Sequence, residues 1–568
     1  HNITINTTYG GENLSGLENL EKAGGLKIGA VKSLTDISLP GLHTIGTQLS
    51  ISSVTAMNIH MPALAFVGED LIVKSDSMRK ADFGELKTVG GSMLFNGTNG
   101  TSTKNPMTSV SFPTLESVGG TLDIRYWPAA DKLGLPALKT VSGHITITHW
   151  AKADELRLPA LERAGGLTID NANLLAEIEM PLLAYLNGAF SIASVPGLTW
   201  FEFPALREVS GNITLNAGAA TNVSFPILES IGGTLYIPSG ASKLAYPSFP
   251  GLRTIKVDLD IRSTKITDLS AFPSLEEIGA RLYLYNATGL TSLSGAGSLR
   301  RIASSLYLYG MTNLAEVDLR GIEVGSIDIY TGTYNKLKLI GDEVFGGRIY
   351  FGTNTTSSMP EMTGFKTIGT LEVSTGSYSG DIIFENVENI TGLLNFTSSN
   401  NSKAITMNKL RTAGGIKFSY NNSLVSVNMP ALEEITGYTD EKGSKLGGFT
   451  YPVSSKLNDI NLPLLSSVEG DFAVTNIRTE STIQKINAPA LTSITGILNL
   501  TGQSNSASFN DLSNFVNLRS AGGVTISTFK NLASFDGLKN VISSFAAGQG
   551  KASGCGYNPT YQNMVDGQ

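Results

Sequence analysis

The sequence of 568 residues contains one cysteine, Cys555, so it can form neither an intrachain disulfide nor a cysteine-based zinc site. Two alternatives remain for the Cys555 thiol: it forms an intermolecular disulfide, or it is a buried free side chain. Only 16% of the residues are charged, and the formal net charge of −7 is spread along the chain without a basic patch. This pattern excludes the usual nucleic-acid-binding surface. No run of 18 or more apolar residues occurs, so we expect no membrane span.

Histidine is also scarce, with five residues in the chain. In the strand pattern around them, His144 and His149 have opposite parity and should point to opposite faces, so no metal-ligand cluster is indicated. His1 could bind copper through the amino terminus, but the sequence identifies no partner histidine for it. No nucleophile elbow or phosphate-binding loop stands out either. We therefore expect no catalytic residue, no metal and no cofactor.

The sequence does contain a repeat, which an apolar–Pro–x–Leu pattern marks. From Pro113 to Pro273 the repeat prolines are separated by 23, 23, 22, 23, 22, 24 and 23 residues. A register held over so many copies indicates a structural repeat. After each Pro-x-Leu come two polar residues, an apolar residue, often Gly-Gly, and a short alternating segment such as Leu122–Ile124 or Ile145–Ile147. Alternation with a period of two predicts a strand with one buried face.

No unit carries an amphipathic helical stretch of 10–12 residues, so the predicted fold is all-β. We expect a parallel β-solenoid of about 23 coils of 22–23 residues, with Gly-Gly at tight corners and Pro at strand edges. The predicted organisation is an N-terminal arm (1–12), one continuous solenoid (13–545) and a C-terminal tail (546–568). Two longer units, near 96–107 and 437–455, predict surface loops.

This repeat resembles the receptor L-domain type of leucine-rich solenoid, through stretches such as Leu167–Leu183 and Ile416–Leu432. It is similar in particular to the fungal Ecm33-like cell-wall glycoproteins, which carry GPI anchors. The resemblance covers nearly all of residues 13–545. It implies an extracellular, glycosylated wall or surface protein without catalytic activity, and a lipid anchor at the C-terminus. The chain departs from that family in lacking the capping cysteines and a Ser/Thr-rich stalk, and in its longer array.

Sequons for N-glycosylation are about twice as frequent as the seven or eight expected by chance for this composition. Their number predicts a secreted, N-glycosylated chain; the alternative is an Asn-rich solenoid in a cell that does not glycosylate it. The 14 predicted sites are Asn2, Asn6, Asn13, Asn96, Asn99, Asn212, Asn222, Asn286, Asn354, Asn389, Asn395, Asn400, Asn421 and Asn499.

The most enzyme-like group of residues is Lys256, Asp258, Asp260 and Arg262. Strand alternation places all four on one outward face, where β-helix enzymes that cleave polysaccharides carry acidic and basic groups. The alternative, which we favour, is a solvated face whose charges pair with each other.

Aromatic residues recur in register and form local strips. Such strips could bind sugar rings or a neighbouring protein, or they could stack between coils and stabilise the solenoid. The residues concerned are Trp127, Trp150, Tyr283, Tyr285, Tyr307 and Tyr309.

Both ends of a solenoid offer open strand edges. The chain begins at His1 and not at Met, so we expect a processed start and precursor segments missing at both ends. The main hypothesis is a structural extracellular or cell-wall glycoprotein that joins copies of itself head to tail into a fibre. One alternative is an adhesin that binds glycans, wall polysaccharide or a protein, and another is a polysaccharide-active β-helix enzyme.

Overall fold

The computed structural model describes residues 1–52, 55–97, 106–330, 337–352, 359–374, 376, 378, 380–398, 401–453, 456–506, 508–542 and 550–556. The chain divides into two compact units. Unit 1 contains His1–Leu290 and Ser294–Arg301, and unit 2 contains Thr291–Leu293 and Ile302–Gln568.

Each unit is built from parallel turns whose register reproduces the sequence repeat. In unit 1, Leu122 pairs with Ile145, 23 residues later, and Ile145 pairs with Leu167, 22 residues later. In unit 2, Ile327 pairs with Ile349 and Ile349 with Leu371, each 22 residues apart. The predicted all-β parallel solenoid is therefore confirmed, with about 22 turns in the two units together.

Most turns contribute two segments to one long parallel sheet, a short one before the glycine corner and a longer one after it. In turns whose corner residues have an extended backbone, the two segments form one continuous strand. In unit 1 these strands are Asn2–Ile5, Lys22–Ala23, Gly25–Ile28, Thr44–Ile45, Leu49–Ser52, Phe66–Val67, Leu71–Lys74, Thr88–Val89, Met93–Asn96, Ser117–Val118, Leu122–Arg125, Thr140–Thr148, Arg163–Asp170, Tyr185–Leu186, Phe190–Ala193, Glu208–Val209, Ile213–Asn216, Ser230–Ile231, Leu235–Ile237, Thr254–Ile255, Leu259–Arg262, Glu277–Ile278 and Arg281–Tyr285.

A second face of unit 1 carries three small parallel sheets of three-residue strands. They are Asp36–Ser38, Asn58–His60 and Lys80–Asp82; Ser109–Ser111, Lys132–Gly134, Glu155–Arg157 and Glu177–Glu179; and Trp200–Glu202, Asn222–Ser224 and Tyr246–Ser248. A 3-10 helix, Ser239–Ala241, lies between the long-sheet strand Leu235–Ile237 and the second-face strand Tyr246–Ser248.

Unit 2 repeats this plan with longer strands. Its long-sheet strands are Arg301–Tyr309 (most of which lies in this unit), Glu323–Tyr330, Val344–Gly352, Thr367–Val373, Asn389–Thr397, Thr412–Ser419, Glu434–Ile435, Phe449–Pro452, Ser467–Val468, Phe472–Ile477, Ser493–Ser506, Ser520–Phe529 and Gly550–Ser553. The second face has Glu316–Asp318, Lys338–Ile340 and Glu361–Thr363, and Ile382–Ile383, Ala404–Thr406, Ser426–Asn428 and Asp459–Asn461. The helical segments are Ser513–Phe515, Asp536–Leu538 and Lys539–Ile542.

The core is a set of ladders in which the same repeat position is buried turn after turn. The apolar residue before the repeat Pro forms one such ladder in unit 1, where the rings of Phe225 and Phe249 stack at 5.0 Å and those of Phe249 and Phe272 at 5.2 Å. All three rings are fully buried. Phe249 thus packs against a ring on each of its neighbouring turns in addition to its burial.

At the corner residue Gly119, glycine is required by close approach and not by a left-handed backbone. A Cβ atom built on Gly119 would lie 2.0 Å from the carbonyl oxygen of Gly90 on the preceding turn. The prediction that Gly-Gly marks tight corners is thus explained by turn-to-turn contact at the backbone.

Both predicted insertions interrupt the regular turns. In unit 2, Tyr438–Thr439 and Lys445–Leu446 form an antiparallel hairpin that projects from the solenoid, as expected for the loop near 437–455. Of the other insertion, residues 98–105 lie outside the described residues.

The predicted N-terminal arm is part of the sheet, since Asn2–Ile5 pairs in parallel with Gly25–Ile28. In the predicted tail, Gly550–Ser553 pairs with the strand Ser520–Phe529, while 557–568 lie outside the described residues. One continuous solenoid over 13–545 stays a prediction, because each unit is described by itself.

Candidate binding surfaces

Trp127 and Trp150 lie in the interior, which corrects their assignment as ligand or interface residues. Their exposed fractions are 0% and 2%. The indole Nε1 of Trp127 donates to the carbonyl of Phe95 at 2.8 Å. The outward alternation assumed from the sequence ends where Tyr126 adopts a φ of +66°, which turns the next side chain inward. The tryptophans therefore stabilise the turns and cannot touch a ligand.

The enzyme-like constellation in unit 1 is a set of closed ion pairs. Arg262 Nε and Nη2 donate to the two carboxylate oxygens of Asp260 at 2.8 and 2.7 Å. Asp258 is held by Arg281 of the next turn, with Nη2 to Oδ2 at 2.9 Å. Both aspartates are 9% exposed. Lys256 is exposed at the edge of this surface. The side-chain hydrogen bond to Asp260 raises the pKa of Arg262. This geometry matches the self-paired alternative.

Tyrosine rings surround the Arg262 guanidinium on the same face. Its central carbon lies 5.1 Å from the ring centre of Tyr236 and 5.0 Å from that of Tyr283. Tyr285 completes the group at 5.9 Å, and its ring is parallel to that of Tyr283 at 6.3 Å. These half-buried rings form a flat arginine–tyrosine surface. Tyr236 could have been found from its position in the same outward column of the repeat.

A second aromatic group lies in unit 2. The rings of Tyr307 and Tyr330 stack at 4.8 Å, and those of Tyr330 and Tyr350 are 5.0 Å apart. Burial raises the pKa of Tyr330. Tyr309, predicted in the same strip, is half-buried at the end of its strand. These half-buried tyrosines fit coil-to-coil stacking.

A polar groove of unit 2 has a volume of about 670 Å³. Backbone of the glycine corners Gly347 and Gly369 forms its floor, and the hairpin segment 438–441 forms one wall. Arg348 and Glu372 line it opposite, with Arg348 Nη1 3.5 Å from a carboxylate oxygen of Glu372. Arg348 also pairs with Asp328. The sequence alone does not reveal this groove, because an insertion and several distant turns create it together.

The predicted glycosylation sites differ in exposure. Asn421 is 1% exposed, and its Nδ2, the atom that would carry a sugar, donates to the carbonyl of Phe396 at 3.1 Å. Asn96 is 9% exposed, and its Oδ1 accepts from the backbone of Arg125 at 2.9 Å. In this fold neither site presents its amide to solvent. The exposed sites are Asn2, Asn6, Asn13, Asn212 and Asn222; Asn286, Asn389, Asn395 and Asn499 are half-buried; Asn99, Asn354 and Asn400 lie outside the described residues.

The remaining titratable candidates have structural surroundings. His144 Nε2 lies 2.8 Å from the hydroxyl of Thr168, and burial, followed by the nearby charge of Arg125, lowers the pKa of His144. Burial raises the pKa of the Cys555 thiol, which is 8% exposed. His1 is exposed at the start of the first strand.

Metal-ligand clusters and membrane-spanning helices are both absent from the described part of the chain. It contains no group of three or more His, Cys, Asp or Glu side chains placed to hold a metal ion. Nor does any of its helices have the length and apolar character needed to cross a membrane.

Comparison with known proteins gives partial similarity. No protein-family model matches. Protein ecm33 of Aspergillus fumigatus is 25% identical over 135 residues, which are 22% of this chain and 33% of that protein. The match thus spans about a third of the relative's length.

Two solved structures align with low scores. A leucine-rich repeat protein from Bacteroides ovatus is 15% identical, with a TM-score of 0.20, over 55% of this chain and 78% of its own. TLR13 in its complex with ssRNA13 is 12% identical, with a TM-score of 0.21, over 92% of this chain and 83% of its own. From its turn register and the matched segment, the chain is a leucine-rich-repeat-like parallel β-solenoid that resembles Ecm33.

Proposed function

We propose that the chain is a non-catalytic glycoprotein of a cell wall or cell surface, with a structural or binding role. The observation that carries this proposal is the pairing of the outward charges: Asp258 with Arg281, and Asp260 with Arg262. A hydrolase of polysaccharides needs a carboxyl group that can exchange a proton with its substrate. Carboxylates fixed in bidentate pairs within the fold serve to hold neighbouring groups together.

The location at a wall or surface rests on two further supports. One is the similarity to protein ecm33 over 135 residues. The other is the set of exposed sequons, which suits a secreted chain. We further propose that a C-terminal lipid anchor retains the chain at the surface, as in the family that it resembles.

Mass spectrometry of the intact native protein tests location and modification together, since it reports glycans, lipid and true termini. We expect hexose-containing mass on several sequons. Incubation of the protein with wall polysaccharides should release no new reducing ends. Cleavage that is lost in Asp260→Asn would overturn the non-catalytic role, and a native protein with no occupied sequon would overturn the extracellular one.

A finer proposal is head-to-tail assembly through the first strand. Asn2–Ile5 pairs with Gly25–Ile28 on one side, and no other described strand pairs with it. Backbone amides of Gly24 and Gly29 donate to the carbonyls of His1 and Ile5, so the even-numbered residues 2 and 4 direct their backbone groups to the open edge. An open edge of this kind can accept a strand from another copy.

Thr4 offers a matched pair of variants for this assembly. Thr4→Pro removes the amide at the open edge, whereas Thr4→Val keeps it, and both remove the Asn2 sequon. If copies join through this edge, sizing and electron microscopy should show filaments for the wild type and Thr4→Val but not for Thr4→Pro. A wild type that stays monomeric at all concentrations would exclude the fibre.

The groove of unit 2 favours a second candidate function, the binding of a glycan from the surroundings. Its floor of backbone and its mixed lining of Arg348, Glu372 and Tyr438 provide donors, acceptors and a ring, as polar sugars require. A glycan array tests this role, with Tyr438→Ser as the variant that should lose binding. Equal signals for the variant and the wild type would remove the groove as the site.

A further inference from the structure

Two strongly exposed aromatic side chains of unit 1 flank one predicted glycosylation site. Trp200 and Tyr246 are 59% and 72% exposed. In the parallel sheet of the second face, Trp200 pairs in register with Asn222, and Asn222 pairs in register with Tyr246. Neighbouring strands of a sheet lie about 4.8 Å apart, so the amide of Asn222 lies between the two rings on the same face.

The sequon itself is well placed for modification. Asn222 is exposed, and the next outward residue, Ser224, supplies the hydroxyl that the sequon needs. The Ser224 hydroxyl donates to Glu202 of the previous turn at 3.0 Å, which anchors the strand end beside the site. Val223, between them, is buried. The amide of Asn222 therefore points outward from a strand whose other face is fixed in the core.

Large aromatic side chains that stay exposed side by side usually mark a surface that something covers. A pyranose ring has an apolar face of C–H groups, which packs on the face of an aromatic ring. A sugar joined to Asn222 starts within one side-chain length of both rings. The covalent bond already restricts the translational freedom of the sugar, so contact with the two rings requires no further loss of that freedom.

We propose that Asn222 carries an N-linked glycan whose first N-acetylglucosamine packs between Trp200 and Tyr246. In its formation, Asn222 Nδ2 bonds to the anomeric carbon of a lipid-diphosphate-linked oligosaccharide. The bond from that carbon to the phosphate oxygen breaks, the lipid diphosphate leaves with the electron pair, and the amide loses one proton. The inference rests on the proposed extracellular function.

Comparison with another exposed sequon shows why Asn222 is singled out. Asn212 lies just before Ile213, which pairs with Phe190 and Leu235. The residues that precede those partners, Ala189 and Thr234, are not aromatic. The positions in register with Asn212 on the two neighbouring turns therefore carry no rings, and Asn212 serves as the control site.

Tryptophan fluorescence can report the packing directly. The chain has three tryptophans, and Trp127 and Trp150 are buried, so a water-soluble quencher such as acrylamide reaches Trp200. We would express the full chain in a host that N-glycosylates. Ser224→Ala removes the sequon and leaves Asn222 and both rings, while Ser224→Thr keeps the sequon. Thr214→Ala removes the control sequon at Asn212.

We expect quenching of the wild type and Ser224→Thr to be weaker, by about twofold, than that of Ser224→Ala. Thr214→Ala should behave like the wild type. An endoglycosidase that leaves one N-acetylglucosamine should preserve the protection, and an amidase that removes the whole glycan should abolish it. Glycopeptide mass spectrometry gives the occupancy of each site.

The outcomes separate this inference from the proposed function. If Asn222 carries no glycan while other exposed sequons do, the inference is overturned and the extracellular role stays intact. If Asn222 carries a glycan but quenching is equal in all variants, the proposed packing of the sugar between the two rings is also overturned. If no sequon is occupied in the native protein, the extracellular role itself fails.

Discussion

Asp258 on one turn of unit 1 holds Arg281 on the next turn by both its backbone and its side chain. The carboxylate Oδ1 accepts from the Arg281 backbone amide at 2.9 Å and from Nε at 3.2 Å, and Oδ2 accepts from Nη2 at 2.9 Å. The pair thus connects adjacent turns just where the long-sheet strand Arg281–Tyr285 begins. Because Asp258 is 9% exposed, these donors offset the cost of burying its carboxylate.

Removal of that carboxylate should destabilise unit 1. We expect Asp258→Ala to lower the free energy of unfolding by about 1–3 kcal/mol, because the Arg281 amide and guanidinium lose their acceptor. Asp258→Asn should cost less, since Oδ1 can still accept from the amide. The control is Glu276→Ala, which removes an exposed partner of Arg253 and should cost about 0–1 kcal/mol. Urea unfolding followed by circular dichroism measures the difference; equal losses in Asp258→Ala and Glu276→Ala would refute this role.

The repeat predicted the fold because every turn imposes the same demands at the same positions. The sequence therefore repeats an apolar residue before Pro and alternating apolar residues in the strand, as at Leu122. It also repeats glycine at the corner, which is too tight for a side chain, as at Gly119. Trp127 was misplaced because one left-handed residue, Tyr126, reverses the alternation, and parity alone does not show it.

The surfaces were harder to predict than the core. Partners such as Asp258 and Arg281 are 23 residues apart and belong to different turns, so their pairing depends on the register of the fold. The groove of unit 2 depends in addition on where the hairpin Tyr438–Leu446 projects. Once the register is known, a column of outward residues can be read from the sequence, and Trp200, Asn222 and Tyr246 form such a column.

The glycine corners of unit 2 allow a matched comparison. A Cβ atom on Gly369 would lie 2.0 Å from the carbonyl oxygen of Gly346, whereas nothing lies within 4 Å of a Cβ atom on Gly346. We expect Gly369→Ala to destabilise unit 2 by about 1–3 kcal/mol through overpacking, and Gly346→Ala to have little effect. Thermal unfolding of the two variants tests this, and similar melting temperatures would contradict the close-approach explanation.

The phenylalanine ladder should show how local the stability of a solenoid is. Phe225→Ala removes a ring that stacks on Phe203 at 5.6 Å and on Phe249 at 5.0 Å. We expect a loss of about 3–5 kcal/mol, with Phe225→Leu costing less. Hydrogen exchange should speed up in the turns that contain these rings and remain unchanged ten turns away, because each repeat contacts only its neighbours. Uniformly faster exchange would show that unit 1 unfolds as one block.

His144 should make the stability of unit 1 depend on pH. Burial lowers the pKa of His144 below its ordinary value of about 6.5, and Arg125 adds to the shift. The unfolded chain therefore binds more protons than the folded one between the two pKa values, and the free energy of unfolding falls as pH decreases through this window. His144→Gln keeps a side-chain partner for the Thr168 hydroxyl but cannot titrate, so the variant should lose this part of the pH dependence. His43→Gln, at an exposed position, should retain it. Urea unfolding between pH 5 and 7.5 would compare the three proteins, and identical slopes for the wild type and His144→Gln would show that other groups cause the effect.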